Sequence, residues 1–131
     1  MTSVHKKIII VEDQPDVADL LEEILSVDGY QVVKIHSSGG ALSVIRTENP
    51  DVVLLDIMMP DVSGLDVLRF MRREPQLQQI PVVIVSAKTL SSDIRTGLDA
   101  GATAYLTKPV DVNKLRETVA EVIREKENSG N

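Results

Sequence analysis

Ionisable or hydroxyl side chains follow four of the five strand-like hydrophobic runs of this chain: Glu12 and Asp13, Asp56, Ser86, and Lys108. In an open parallel α/β sheet the carboxyl ends of the strands line one crevice, so these side chains can converge there. Carboxylates that crowd together repel each other and resist ionisation unless a cation joins them. The set therefore predicts a phosphoryl-transfer site that holds a hard divalent metal ion, with Mg2+ as the expected ion.

Five short apolar runs have the composition of buried strands. They are β-branched and nearly unbroken, which is typical of strands that helices cover on both faces. The runs occupy residues 8–11, 32–35, 52–55, 82–85 and, more weakly, 102–106.

Five amphipathic helical patterns lie between and after these runs. Pro15 stands near the first turn of the first helix. The second helix is expected to take Ser37 or Ser38 as its N-cap and to stop at Asn49, which precedes a proline. Strict alternation of strands and helices predicts a parallel sheet with helices on both faces, joined by right-handed crossovers.

Composition limits the classes of function. The 131 residues are enough for one domain, and the absence of Cys excludes disulfides and thiolate chemistry. A net charge of −6 disfavours direct binding to nucleic acid, because phosphate backbones select basic surfaces. The apolar runs are too short to cross a membrane, and residues 1–7 lack the apolar core of a signal peptide. We therefore expect a cytoplasmic protein without membrane insertion.

Four short motifs around the reactive side chains fall in register along the chain: Glu12-Asp13, residues 54–60 around Asp56 with Gly64 after them, Ser86-Ala87, and Lys108-Pro109. Together they resemble the receiver domain of two-component response regulators, a CheY-like domain, over residues 6–124. The resemblance implies a doubly wound (βα)5 flavodoxin-like α/β fold, a three-layer sandwich whose five parallel strands lie in the order 2-1-3-4-5. It leaves residues 1–5 as an N-terminal extension and residues 125–131 as a polar C-terminal tail.

The resemblance also assigns roles at the metal site. It implies that Asp56 accepts the phosphoryl group and that Asp13, Asp56 and the backbone carbonyl of Met58 ligate Mg2+. Glu12 would act mainly through water. Lys108 would neutralise the negative charge that spreads over the phosphoryl oxygens during transfer.

Further residues are implicated in switching and docking. The resemblance implies that Ser86 hydrogen-bonds the phosphoryl group, that Tyr105 turns inward in response, and that the Lys108–Pro109 peptide bond is cis. An aromatic residue on a buried strand is otherwise a core residue. A partner must reach Asp56 from the rim of the crevice, so we expect it to dock on Gln14, Pro15, Ala18, Pro109 and Val110.

The function that follows is a phosphoacceptor switch of a two-component or phosphorelay system. A sensor histidine kinase or a histidine phosphotransfer protein would supply the phosphoryl group. The fourth helix, fifth strand and fifth helix would then change conformation and signal to a downstream protein target or to a covalently linked output domain. The chain would not be an enzyme, beyond assisting its own phosphorylation and dephosphorylation.

Three other functions fit parts of the pattern. A phosphohydrolase of the haloacid dehalogenase type needs a second acid two residues after the nucleophile, where this chain has Met58. A flavin or nucleotide carrier needs a phosphate loop after the first strand, where this chain has Glu12 and Asp13. A receiver-like binding module that is never phosphorylated usually lacks one of the site residues, and all are present here.

Overall fold

Five strands and five helices alternate through residues 5–129, the part of the chain that this computed structural model describes. The predicted alternation is confirmed. The strands are β1 (Lys7–Val11), β2 (Gln31–Ile35), β3 (Val52–Leu55), β4 (Val82–Ser86) and β5 (Ala104–Thr107). The helices are α1 (Pro15–Val27), α2 (Ala41–Glu48), α3 (Gly64–Arg73), α4 (Ser91–Asp99) and α5 (Val112–Ser129).

All neighbouring strands pair in parallel, in the order β2-β1-β3-β4-β5, which confirms the predicted topology. The chain runs from β1 outward to β2 and then returns to place β3 on the other side of β1. The carboxyl ends of β1 and β3 therefore flank the point where the direction of winding reverses, and ligands of such sheets bind at that point.

Two apolar cores, one on each face of the sheet, explain why the strands read as unbroken hydrophobic runs. In β3, Val53 and Leu55 face the core that includes α2 and α3, while Val52 and Leu54 face the core that includes α1 and α5. All four side chains are almost completely buried. In α4, by contrast, the buried residue is Gly97, so this helix packs through little side-chain area.

The predicted cap of α2 is wrong. The N-cap is Gly40, and neither Ser37 nor Ser38 fills that position. The Ser38 hydroxyl instead turns inward to a neighbouring loop, where it lies 2.9 Å from a carboxylate oxygen of Asp61. The predicted stop is confirmed, because Asn49 takes the left-handed conformation that ends many helices (φ 48°).

Helix α5 is longer than the sequence indicated. It continues to Ser129, so residues 125–129, which were expected to form a polar tail, are helical. Exposed Glu, Lys and Arg residues are good helix formers, and Lys6 forms an ion pair with Glu127 in this last part of the helix. The rest of the predicted extensions, residues 1–4 and 130–131, lies outside the described residues. Within residues 5–129, no helix has the length and apolar character needed to cross a membrane.

Candidate functional site

Backbone hydrogen bonds just beyond the strand ends place the acidic residues at the crevice. The Glu12 amide donates to the Ile35 carbonyl oxygen (2.9 Å), and the Asp56 amide donates to the Val11 carbonyl oxygen (3.0 Å). Both residues thus continue the parallel pattern of β1 and β3. Their side chains are held on a rigid sheet edge and not on free loops.

Three carboxylates meet at this edge, as the sequence predicted. Glu12, Asp13 and Asp56 each offer an oxygen, and these oxygens lie within 4.8 Å of one another. Glu12 is 1% exposed and Asp56 is 5% exposed, while Asp13 is half-buried. Such an all-oxygen set, with one member open to water, matches the chemistry of Mg2+, which binds few carboxylates and keeps several waters.

Lys108 reaches into the cluster from the end of β5. Its Nζ lies 2.6 Å from Glu12 Oε1 and 3.1 Å from Asp56 Oδ2. The peptide bond to Pro109 is cis, as predicted. Burial tends to lower the pKa of Lys108, but its hydrogen bonds to Glu12 and Asp56 outweigh that effect and raise the pKa above its usual value, so the ammonium stays charged.

The single positive charge of Lys108 does not balance the negative charges that three carboxylates can carry. Burial raises the pKa of Glu12 even though Lys108 and the Gln14 amide donate hydrogen bonds to its carboxylate. The free energy cost of keeping this buried group ionised therefore remains only partly offset. A second positive charge at the cluster would remove that cost, which is the physical sense in which these residues fit a metal ion.

The loop after Asp56 packs closely against the site. Asp56 Oδ1 accepts a hydrogen bond from the Met58 amide (2.9 Å), which orients the carboxylate. A Cβ atom on Gly64 would lie 2.4 Å from the Asp56 carbonyl oxygen, so only glycine fits at the start of α3. The Gly64 of the sequence motif is thus explained by a close approach of backbone to backbone.

Ser86 and Tyr105 are joined through the backbone of Lys88. Ser86 is fully buried, its Oγ accepts from the Lys88 amide (3.2 Å), and its carbonyl accepts from the Lys108 amide (2.9 Å). The Tyr105 hydroxyl donates to the Lys88 carbonyl (2.8 Å), and its half-buried ring lies close to Gly97 of α4. The sequence did not indicate this link, because it runs through backbone atoms.

The predicted docking surface needs one correction. Gln14, Pro15 and Pro109 are exposed and Val110 is half-buried, so these four residues are accessible to a partner, and their role in docking stays a prediction. Ala18 has no exposed area, because its position on α1 faces the sheet and packs in the core with Leu21 and Leu25. A partner cannot touch Ala18. Leu20, which is 56% exposed, offers apolar area on the outer side of α1 instead.

Two side chains near the crevice escaped the sequence analysis. His36 directly follows β2, the strand whose end had carried no reactive residue, and its Nδ1 lies 3.1 Å from the Glu12 carbonyl oxygen. Its position after a strand was a signal that could have been used. Asp61 contacts the loop after β2, but it does not directly follow a strand, so its position in the sequence did not indicate a role.

Comparisons with known proteins agree with this geometry. Residues 8–120 match the family described as the response regulator receiver domain. Protein PilH of Pseudomonas aeruginosa is 38% identical over 117 residues, which cover 89% of this chain and 97% of that protein. The DNA-binding response regulator MtrA of Mycolicibacterium smegmatis is 36% identical over 122 residues, which cover 93% of this chain and 51% of that protein.

A solved structure shows the same fold. The CheY-like response regulator receiver domain protein from Methanospirillum hungatei JF-1 is 30% identical, superposes with a TM-score of 0.88, and is matched over 95% of this chain and 98% of that one. The family match spans most of the chain and contains every reactive side chain of the crevice. The chain therefore belongs to the response regulator receiver domain family.

Proposed function

We propose that this receiver domain accepts a phosphoryl group from a phosphohistidine onto Asp56 and acts as a signalling switch. The observation that carries the proposal is the carboxylate cluster with Lys108 Nζ placed between Glu12 and Asp56. The donor would be a sensor histidine kinase or a histidine phosphotransfer protein. A cytoplasmic location and the absence of direct nucleic-acid binding stay predictions.

The reaction transfers one group between two side chains. A carboxylate oxygen of Asp56 attacks the phosphorus, the P–N bond of the phosphohistidine breaks, and its electron pair returns to the imidazole nitrogen. Lys108 stabilises the negative charge on the phosphoryl oxygens, and the Met58 amide holds the carboxylate in place. Asp13, Asp56 and the Met58 carbonyl would hold Mg2+, with Glu12 acting mainly through water. When bound, Mg2+ supplies further positive charge at the phosphoryl oxygens.

The response to phosphorylation would pass through Lys88. A phosphoryl group at Asp56 adds negative charge and hydrogen-bond acceptors, which the Ser86 hydroxyl can approach. Movement of Ser86 would weaken the hydrogen bond that its Oγ accepts from the Lys88 amide. The Lys88 backbone could then shift, which would weaken the hydrogen bond from the Tyr105 hydroxyl to the Lys88 carbonyl. Tyr105 would then turn and shift α4, whose packing is light, relative to β5 and α5. A protein target or a linked output domain would read this face.

We expect Mg2+ to stabilise the fold. At a hundredfold excess over its dissociation constant it should add about 2.7 kcal/mol to the free energy of unfolding. Asp13→Asn should lose most of that gain, whereas Asp16→Asn, an exposed aspartate in the first turn of α1, should keep it. Thermal unfolding with and without Mg2+ measures both. An unfolding midpoint that ignores Mg2+ in the wild type argues against the metal site.

A partner should dock across α1. Leu20→Glu is expected to slow transfer from a phosphorylated histidine kinase by about tenfold, because a charge replaces apolar contact area, while labelling by acetyl phosphate stays unchanged. Val27→Glu provides the matched control: Val27 is 79% exposed and lies on the same face of α1, about 10 Å further from the crevice. Equal slowing of both donors by Leu20→Glu would place the defect in the site or the fold.

A further inference from the structure

A carboxylate clasp joins two loops at the crevice edge of the sheet. Asp61, in the loop of residues 56–63, accepts hydrogen bonds from the loop of residues 36–40. Ser38 Oγ lies 2.9 Å from Asp61 Oδ1, the Gly39 amide lies 2.9 Å from Asp61 Oδ2, and the Ser38 amide lies 3.4 Å from Asp61 Oδ1. Both oxygens of one side chain thus hold the opposite loop.

Ser38 is the inner half of the clasp. It is 3% exposed, its Oγ accepts from the Val62 amide (3.1 Å), and the Val62 carbonyl lies within hydrogen-bonding reach of the same hydroxyl. The hydrogen bond from Ser38 and then that from the Gly39 amide lower the pKa of Asp61 to about 2. Asp61 is therefore an ionised acceptor across the physiological range.

The clasped loop carries two predicted metal ligands. Asp56 lies at its start, followed by Met58, whose backbone carbonyl is the third ligand in the proposed function. The loop has apolar anchors at Ile57 and Met59, which are each 8% exposed. Apolar burial is non-directional, whereas hydrogen bonds to Asp61 and Val62 fix how the backbone is turned.

The opposite loop is tied to the same site. His36 Nδ1 lies 3.1 Å from the Glu12 carbonyl oxygen, two residues before Ser38. Contacts therefore run from the end of β1 through the loop after β2 to the loop after β3. Asp61 is exposed, its carboxylate binds Ser38 and Gly39, and among the described residues it does not belong to the cluster of Glu12, Asp13 and Asp56, so we infer that any effect it has on the metal acts through the loop.

We propose that Asp61 is a positioning residue for metal binding: through Ser38 and Gly39 it holds the loop of residues 56–63 in the orientation that presents the Met58 carbonyl to Mg2+. The inference rests on the proposed function. It identifies a determinant of metal affinity that lies outside the ligand set, on a side chain that binds the loop after β2.

The test titrates Mg2+ and obtains its half-saturating concentration in two ways: from the unfolding midpoint without acetyl phosphate, and from the rate of labelling by acetyl phosphate. Asp61→Asn should raise the half-saturating Mg2+ concentration about fivefold, somewhat less than the roughly tenfold or greater loss seen when a group touching a ligand is removed. The rate at saturating Mg2+ should stay within about twofold of the wild type, because the reacting groups are intact. Asp66→Asn is the control, since it removes the same charge from an exposed position in the first turn of α3.

Ser38→Ala should raise the half-saturating concentration as well, and the double variant should be no worse than the weaker-binding single variant, because both changes break one clasp. A Mg2+ dependence of Asp61→Asn equal to that of the wild type would overturn the positioning role and leave the proposed function standing. Labelling of the wild type that needs no Mg2+ would reject the metal site itself. An equal shift in Asp66→Asn would mean that the loss of any nearby negative charge weakens Mg2+ binding, and this result would also overturn the proposal.

Discussion

We expect Asp56→Asn to gain no phosphoryl group under conditions in which the wild type, given acetyl phosphate and Mg2+, gains one. The carboxamide lacks the negative oxygen that would attack phosphorus in the proposed reaction, and we expect no second nucleophile to replace it. Glu12 is also buried and also bonded to Lys108, but it is expected to act on the metal through water. The expected effect is therefore complete loss, which intact-mass measurement detects directly.

The control for this result is Asp99→Asn, which changes an exposed aspartate at the end of α4 and should label as the wild type does. Equal labelling of Asp56→Asn and the wild type would mean that another residue is the acceptor. Absence of labelling in all three proteins, with acetyl phosphate and then with a phosphorylated histidine kinase, would instead favour a receiver-like binding module that is never phosphorylated.

Lys108→Ala should have the second largest effect. Removing a donor from a charge-stabilising site typically costs about a hundredfold or more in rate, and in the proposed reaction the ammonium is the cation that the chain itself supplies to the phosphoryl oxygens. Without Mg2+ the variant should also lose about 2 to 3 kcal/mol of stability, because Glu12 and Asp56 stay buried without their partner. The side chain is 17% exposed, so this loss is smaller than for a fully buried pair.

Labelling rates and thermal unfolding, each measured with and without Mg2+, check both parts of this prediction. Lys114→Ala, which removes an exposed lysine from α5, should leave rate and stability unchanged. Mg2+ should restore more stability to Lys108→Ala than it adds to the wild type, because it then supplies the missing charge. A Lys108→Ala variant that labels at the wild-type rate would remove the lysine from the mechanism.

The sequence predicted the sheet and the centre of the site well, for a physical reason. Strands covered on both faces need apolar residues at every position, so runs such as 52–55 are conspicuous, and a charged residue directly after them is equally so. The strand order 2-1-3-4-5, which the family resemblance implied, then places Asp56 beside the end of β1. The convergence of the other reactive residues follows from their positions after parallel strands, whose carboxyl ends lie along one edge of the sheet.

What the sequence missed depends on contacts between distant segments. The burial of Ala18 follows from its helical phase against the sheet, which a small apolar residue does not reveal by itself. The contact of Ser38 with Asp61 joins loops whose conformations are set by tertiary packing and not by local propensity. Helix α5 continues beyond the last residue of its apolar face, because polar residues with high helix propensity extend it into solvent.

The most direct test of the central claim is to map the phosphoryl group on the wild-type chain after labelling with Mg2+ and acetyl phosphate. Tandem mass spectrometry of peptides from the trapped acyl phosphate should find one modification, on the peptide that contains Asp56, and EDTA should abolish it. A modification that maps to any other residue, or one that persists at the same level in EDTA, would contradict the proposal that this receiver domain is a metal-dependent phosphoacceptor at Asp56.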